Sequence, residues 1–210
     1  MLELPGLEYD PLPAKPAPPP AKPATPPAKP DVPRTRRNTD EAPPAARARR
    51  YAIGDVGPGS GIVFYDAGSE QSWGRYLEAA PARWNGKRKD PSVPWGHESV
   101  YWDIAGAKGK AIGDGTSNTA AMVEVLSSGA GVLAHSYAGG GPTDWFLPSR
   151  LELNALFKQR MRVGGFTEDG YWSSSQTIEC YAWYKSFTDL GWQKTFPTTL
   201  SAGLRPVRAF

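Results

Sequence analysis

A single α+β domain behind a disordered proline-rich tail is the architecture expected of this 210-residue chain. Three observations carry it: a composition break near Arg50, two capped helical stretches in the middle, and a run of short aromatic strands at the end. Fourteen of the 22 prolines lie in residues 1–50, whereas all eight tryptophans follow residue 70. The first segment therefore buries too little apolar surface to offset chain entropy, and the core belongs to residues 51–210.

Within the tail, Ala-Lys-Pro recurs every seven residues between Pro11 and Pro30. Proline fixes φ and removes donors, so this stretch reads as a semi-rigid polyproline II spacer, with an SH3-type ligand as the other reading. Leu2, Leu4, Leu7 and Tyr9 form the apolar island before it, so residues 1–12 are a candidate docking peptide for an anchoring partner.

The domain opens with the turn-rich Gly54–Gly61, followed by a strand at Ile62–Tyr65 and a second at Arg75–Ala80, stopped by Pro81. The glycine run lacks a Gly-Lys-Ser/Thr and enters a strand instead of leaving one, which argues against a phosphate loop. Residues 83–115 read as loop. Their Trp84 and Trp95 either stack on a sugar or cover the core beneath a long loop. A helix is expected at Asn118–Ser127, capped by Thr116 or Ser117, with Ala121, Val125 and Leu126 on its buried face. A second starts at the capping box Ser149-Arg150-Leu151-Glu152, buries Leu151, Leu153, Leu156 and Phe157, and stops at Gly164-Gly165. Strands follow at Gly170–Ser175, Cys180–Phe187, Gly191–Phe196 and Leu204–Phe210.

Charge and chemistry narrow the function classes. Residues 1–50 carry nine Lys+Arg against six Asp+Glu, so the whole net charge of +3 lies there and the domain is balanced. A balanced domain offers no broad nucleic-acid footprint. No apolar run reaches the length of a membrane span. Met1–Asp10 lacks the basic start and apolar middle of a signal peptide, so display would follow another route, such as virion assembly, unless a longer protein precedes it. One cysteine, Cys180, supports neither an intrachain disulfide nor a cysteine zinc site. His97 and His135 are too few and too separated for a metal triad. Ser173–Ser175, His135 and Asp144 lack a nucleophile elbow, and Glu168-Asp169 or Glu179 with Asp189 carry no pocket signal for a paired-carboxylate hydrolase.

The run Asp144-Trp145-Phe146-Leu147-Pro148-Ser149-Arg150-Leu151-Glu152-Leu153, then Tyr171-Trp172-Ser173-Ser174-Ser175, Ala182-Trp183, Phe187, Gly191 and Arg205-Pro206-Val207-Arg208, resembles the C-terminal domain of the Legionella collagen-like adhesin family. Gly57–Tyr65 and Leu77–Pro81 extend the likeness over nearly all of residues 51–210. The resemblance implies a C-type-lectin-like fold, related to formylglycine-generating enzymes, in surface or phage proteins that bind glycans or other receptors. Those enzymes use paired cysteines, and calcium-dependent lectins carry Glu-Pro-Asn, Gln-Pro-Asp or Trp-Asn-Asp; this chain has neither, so a non-enzymatic binder without metal or cofactor is expected.

The ending from Tyr171 to Phe210 is also similar to target proteins of diversity-generating retroelements, in which a fixed frame carries positions varied by adenine mutagenesis. Thr177, Ile178, Cys180, Tyr181, Tyr184, Thr188 and Leu190 are residue types reachable that way from asparagine codons; Lys185, Trp192 and Lys194 are not. Trp172, Trp183, Phe187 and Phe210 are expected as inward anchors, with Arg205 and Arg208 bonding backbone or acidic partners. The expected ligand-binding face is Glu179, Tyr181, Tyr184, Lys185, Asp189, Trp192 and Lys194. Its partner would be a cell-surface glycan or protein receptor, met from a virion or bacterial surface. Two other readings stay open: an enzyme of the formylglycine-generating superfold or a glycan hydrolase, and a virion decoration or tail-fibre protein that forms a homotrimer.

Overall fold

The computed structural model describes residues 49–96, 102–188 and 190–210. The expectations for the spacer, the docking peptide, His97 and Asp189 lie outside the described residues. In chain order come β1 (Ile62–Gln71), β2 (Gly74–Ala79), β3 (Ser92–Pro94), α1 (Asp114–Val125), α2 (Ala130–His135), α3 (Arg150–Lys158), α4 (Arg160–Val163), β4 (Gly170–Ile178), β5 (Tyr181–Ser186), β6 (Gln193–Pro197), β7 (Ser201–Gly203) and β8 (Val207–Ala209). The architecture is α+β with two sheets, one in the order β1-β2-β8 and one in the order β3-β7-β4-β5-β6.

The helices pack the two sheets into two cores. Met122 in the last turn of α1, Leu126 just after it, and Ala130 and Ala134 of α2 bury against Trp172, Ala182, Trp95 and Leu204. Leu153 and Leu156 of α3 bury against Phe64, Leu77, Val207 and Tyr171. Strand β4 thus has a core on both sides, which is why consecutive Tyr171 and Trp172 are both fully buried and burial runs on through Gln176. A strand with one wet face would alternate instead.

The serine run is held as the sequence implied, by hydroxyls bonding backbone: Ser173 Oγ donates to the Trp183 carbonyl at 2.9 Å and Ser175 Oγ to that of Gly109. Gln176 reaches further, accepting from Ile104 N–H and donating to the carbonyls of Trp102 and Glu179. Trp95 is a core residue, its indole N–H on the Ser173 carbonyl at 2.7 Å, and Trp84 donates to Asp90. Both tryptophans are therefore committed to the fold.

Several element boundaries differ from expectation. Helix α1 begins at Asp114, after Gly113 at φ 98°, and Ser117 bonds back to the Asp114 carbonyl instead of capping. Val125 and Leu151 are exposed, while the capping box of α3 forms in both directions, Ser149 with Glu152. The stop at Gly164 holds, although a short turn at Gln159 divides the helix into α3 and α4. Of the expected strand at Leu204–Phe210 only Val207–Ala209 forms, as β8; β7 precedes it at Ser201–Gly203 in the other sheet, and Leu204-Arg205-Pro206 crosses between the two. Helix α2 and strand β3 were not legible, being too short to show a period.

The crossing point carries two ion-pair latches. Arg205, fully buried, donates to Asp90 at 2.6 Å and to the carbonyls of Ala80, Gly164 and Gly165, and lies over the Phe166 ring. Asp90 also accepts the Tyr171 hydroxyl at 2.6 Å. Arg208 pairs with Glu78, whose buried carboxylate accepts from Gly59 and Gly61 N–H at 2.9 Å each. The glycine-rich opening therefore cradles an anion belonging to the protein itself.

Candidate binding face on the β5–β6 hairpin

The pairing of β5 with β6 is regular from Tyr181↔Pro197 to Lys185↔Gln193. Side chains of a strand alternate between faces, so Tyr181, Trp183 and Lys185 share one side of the sheet, and Ala182 and Tyr184 the other. The expected binding face mixes both sides, and the structure divides it.

Helix α3 lies against the first side. The Arg150 guanidinium stacks 3.7 Å from the Trp183 ring centroid, and its backbone carbonyl accepts from Gln193 at 3.0 Å. Trp183, expected as an inward anchor, is instead half-buried beneath that arginine. Lys185 was expected to contact ligand and does not: only 5% exposed, it donates to Asn154 Oδ1 at 3.0 Å and to the Gly191 carbonyl, with its ammonium 4.4 Å from the Phe157 ring centroid. Burial, with Lys158 and Arg160 nearby, lowers its pKa. The lysine ties β5 to α3 and to the turn before β6.

On the second side Trp192, Lys194 and Phe196 recur at every other residue and meet Tyr184. Tyr184 is stacked between Trp192, at 5.4 Å and 29°, and Phe196, at 4.9 Å and 20°, with Trp172 set edge-on beneath at 6.0 Å. The Lys194 ammonium lies 4.3 Å from the Trp192 centroid and 5.0 Å from that of Phe196. Trp192 is 39% exposed and Lys194 is exposed, whereas Tyr184 and Phe196 are half-buried. Burial raises the Tyr184 pKa, with smaller contributions from Asp169 and Glu168, so its hydroxyl stays neutral.

Of the expected contacts, the structure thus gathers Tyr184, Trp192 and Lys194. Tyr181 faces the opposite side, and Glu179 is exposed in the β4–β5 turn. Phe196 was missed, although its spacing of two and four from Lys194 and Trp192 is a strand signal. Arg150 was missed because nothing in its sequence neighbourhood places it over Trp183. Among the described residues, no three His, Cys, Asp or Glu side chains come together as a metal site, and no helix is long and apolar enough to cross a membrane.

No family model matches this sequence, and no curated protein matches it significantly.

Proposed function

We propose that the chain is a non-enzymatic receptor- or ligand-binding module of the C-type-lectin-like kind, adhesin-like in role, projected from a virion or bacterial surface by its proline-rich segment. The observation that carries this reading is the Trp192–Tyr184–Phe196 ladder with Lys194, an accessible aromatic and cationic surface standing on the buried strand β4. Rigid rings offer contact area at low entropy cost, as in paratopes.

Two further features support it. Thr177, Ile178, Cys180, Tyr181, Tyr184, Thr188 and Leu190 are all at least partly exposed, while the neighbouring Ser173–Gln176, Ala182, Lys185 and Ser186 are buried. That division is in keeping with a variable surface on a fixed frame, with the frame residues Trp183 and Phe187 themselves half-buried. The last strand, β8, also returns to pair with β2, closing the domain near its beginning.

A glycan and surface-protein array probed with the full chain tests the reading. The double variant Trp192→Ala/Lys194→Ala is expected to weaken capture by an identified target roughly 30-fold or more, the loss typical of a tryptophan hot spot, with the melting temperature unchanged. Tyr181→Ala, on the other side of the sheet, should retain binding. No target on a broad array, or loss of folding in the double variant, would refute the assignment of this face.

A further inference from the structure

We infer a second binding site, for an uncharged saccharide, in a cleft of about 480 Å³ bounded by the β1–β2 turn, the first turns of α1 and strand β8. It shares no residue with the β5–β6 hairpin, so it stands or falls separately from the binding face proposed above.

The cleft has an apolar side made by Trp73, Phe146, Ala120 and Ala209. Trp73 is brought in by close approach: Gly113 lies so near that a Cβ there would meet its ring at 2.2 Å, and the positive φ of Gly113 suits a residue without one. Phe146 is 3% exposed and anchored to Val207 by backbone bonds in both directions at 2.9 Å. These are fixed walls, which lowers the ordering cost of binding.

The polar lining consists of hydroxyls and one carboxylate. Ser117 Oγ donates its proton to the Asp114 carbonyl at 3.0 Å, so toward the cleft it acts as an acceptor. Ser72 and Thr116 are exposed and able both to donate and to accept. Asp144 is held by Arg208 through Oδ1, while its side chain remains 58% exposed and Oδ2 is left as an acceptor. A ligand matched to this set needs an apolar face and several hydroxyls, which is the chemistry of a pyranose. An anion is disfavoured because, among the described residues, Asp144 alone carries charge in the lining. A purely apolar ligand would leave the hydroxyls and carboxylate desolvated without partners.

The test is titration of the ¹⁵N-labelled full-length protein with methyl α-glucoside, methyl α-mannoside, methyl β-galactoside and N-acetylglucosamine, following the Trp73 indole N–H, with choline and inorganic phosphate as charged controls. At least one neutral sugar should move that resonance saturably, and Thr116→Val and Asp144→Asn should each weaken it at least about fivefold, the scale of one lost hydrogen bond. Thr116→Val, at an exposed position, should match the parent's melting temperature, and Asp144→Asn should lower it only slightly, through loss of its exposed ion pair with Arg208. Absence of a saturable shift with every sugar, a shift with choline or phosphate alone, or sugar affinity unchanged in both variants would each overturn the proposal.

Discussion

Arg205 shows how much of this fold depends on single buried charges. Its guanidinium satisfies Asp90 and three carbonyls with no access to solvent, so removing it leaves the Asp90 carboxylate buried without its ion-pair partner. Arg205→Met is expected to cost about 3–5 kcal/mol in urea unfolding, the range for breaking such a pair from one side. Glu152 is the other informative charge. Burial pushes its carboxyl up to about 7, against hydrogen bonds from Ser149 and Gly113 that favour the ionised form. Between the ordinary carboxylate range and pH 7 the folded state then holds a proton that the unfolded state has lost, so this group's contribution to stability falls as pH rises through that window. Glu152→Gln removes the titration. The stability of the parent relative to this variant should therefore be greater at pH 5 than at pH 8, on the order of 3 kcal/mol at most, measured by urea melts at both values.

Strands β4, β5 and β6 work as one unit, in which a buried central strand sets where the outer two present their side chains. Gly170 is the point where the unit is tightest, since an added Cβ would fall 1.8 Å from the Tyr184 hydroxyl. Gly170→Ala should push Tyr184 out of the stack between Trp192 and Phe196. A crystal structure of the variant would show the ring displaced, and binding through this face should fall with it; an unmoved Tyr184 would mean the strand yields instead. Helix α3 holds the opposite side through Arg150, Asn154 and Phe157, so Lys185 is unavailable to a ligand however polar it is.

Across the domain, two cores meet at β4, and the chain crosses from one sheet to the other at Leu204–Pro206, where Arg205 is latched to Asp90; just beyond, Arg208 pairs with Glu78 across β8 and β2 of the three-stranded sheet. Function is proposed for a ladder on the five-stranded sheet and a cleft beside the three-stranded one. Trp192→Ala/Lys194→Ala and Thr116→Val should therefore affect separate ligands, with neither altering the other's affinity beyond error. Additivity is expected because the two sites share no partner.

The linear order of residues was enough for the α+β class, the capping box at Ser149, the stop at Gly164, the backbone-bonding serines and the anchoring roles of Arg205 and Arg208, because each rests on local chemistry or a repeating period. Short elements such as α2 and β3 left no such trace. The direction each hairpin residue faces depended on how β5 pairs with β6 and on α3 covering one side. Lys185 and Tyr184 are neighbours with similar promise as contacts. Pairing turns them to opposite faces, and only the face left open by the helix keeps a side chain within a partner's reach.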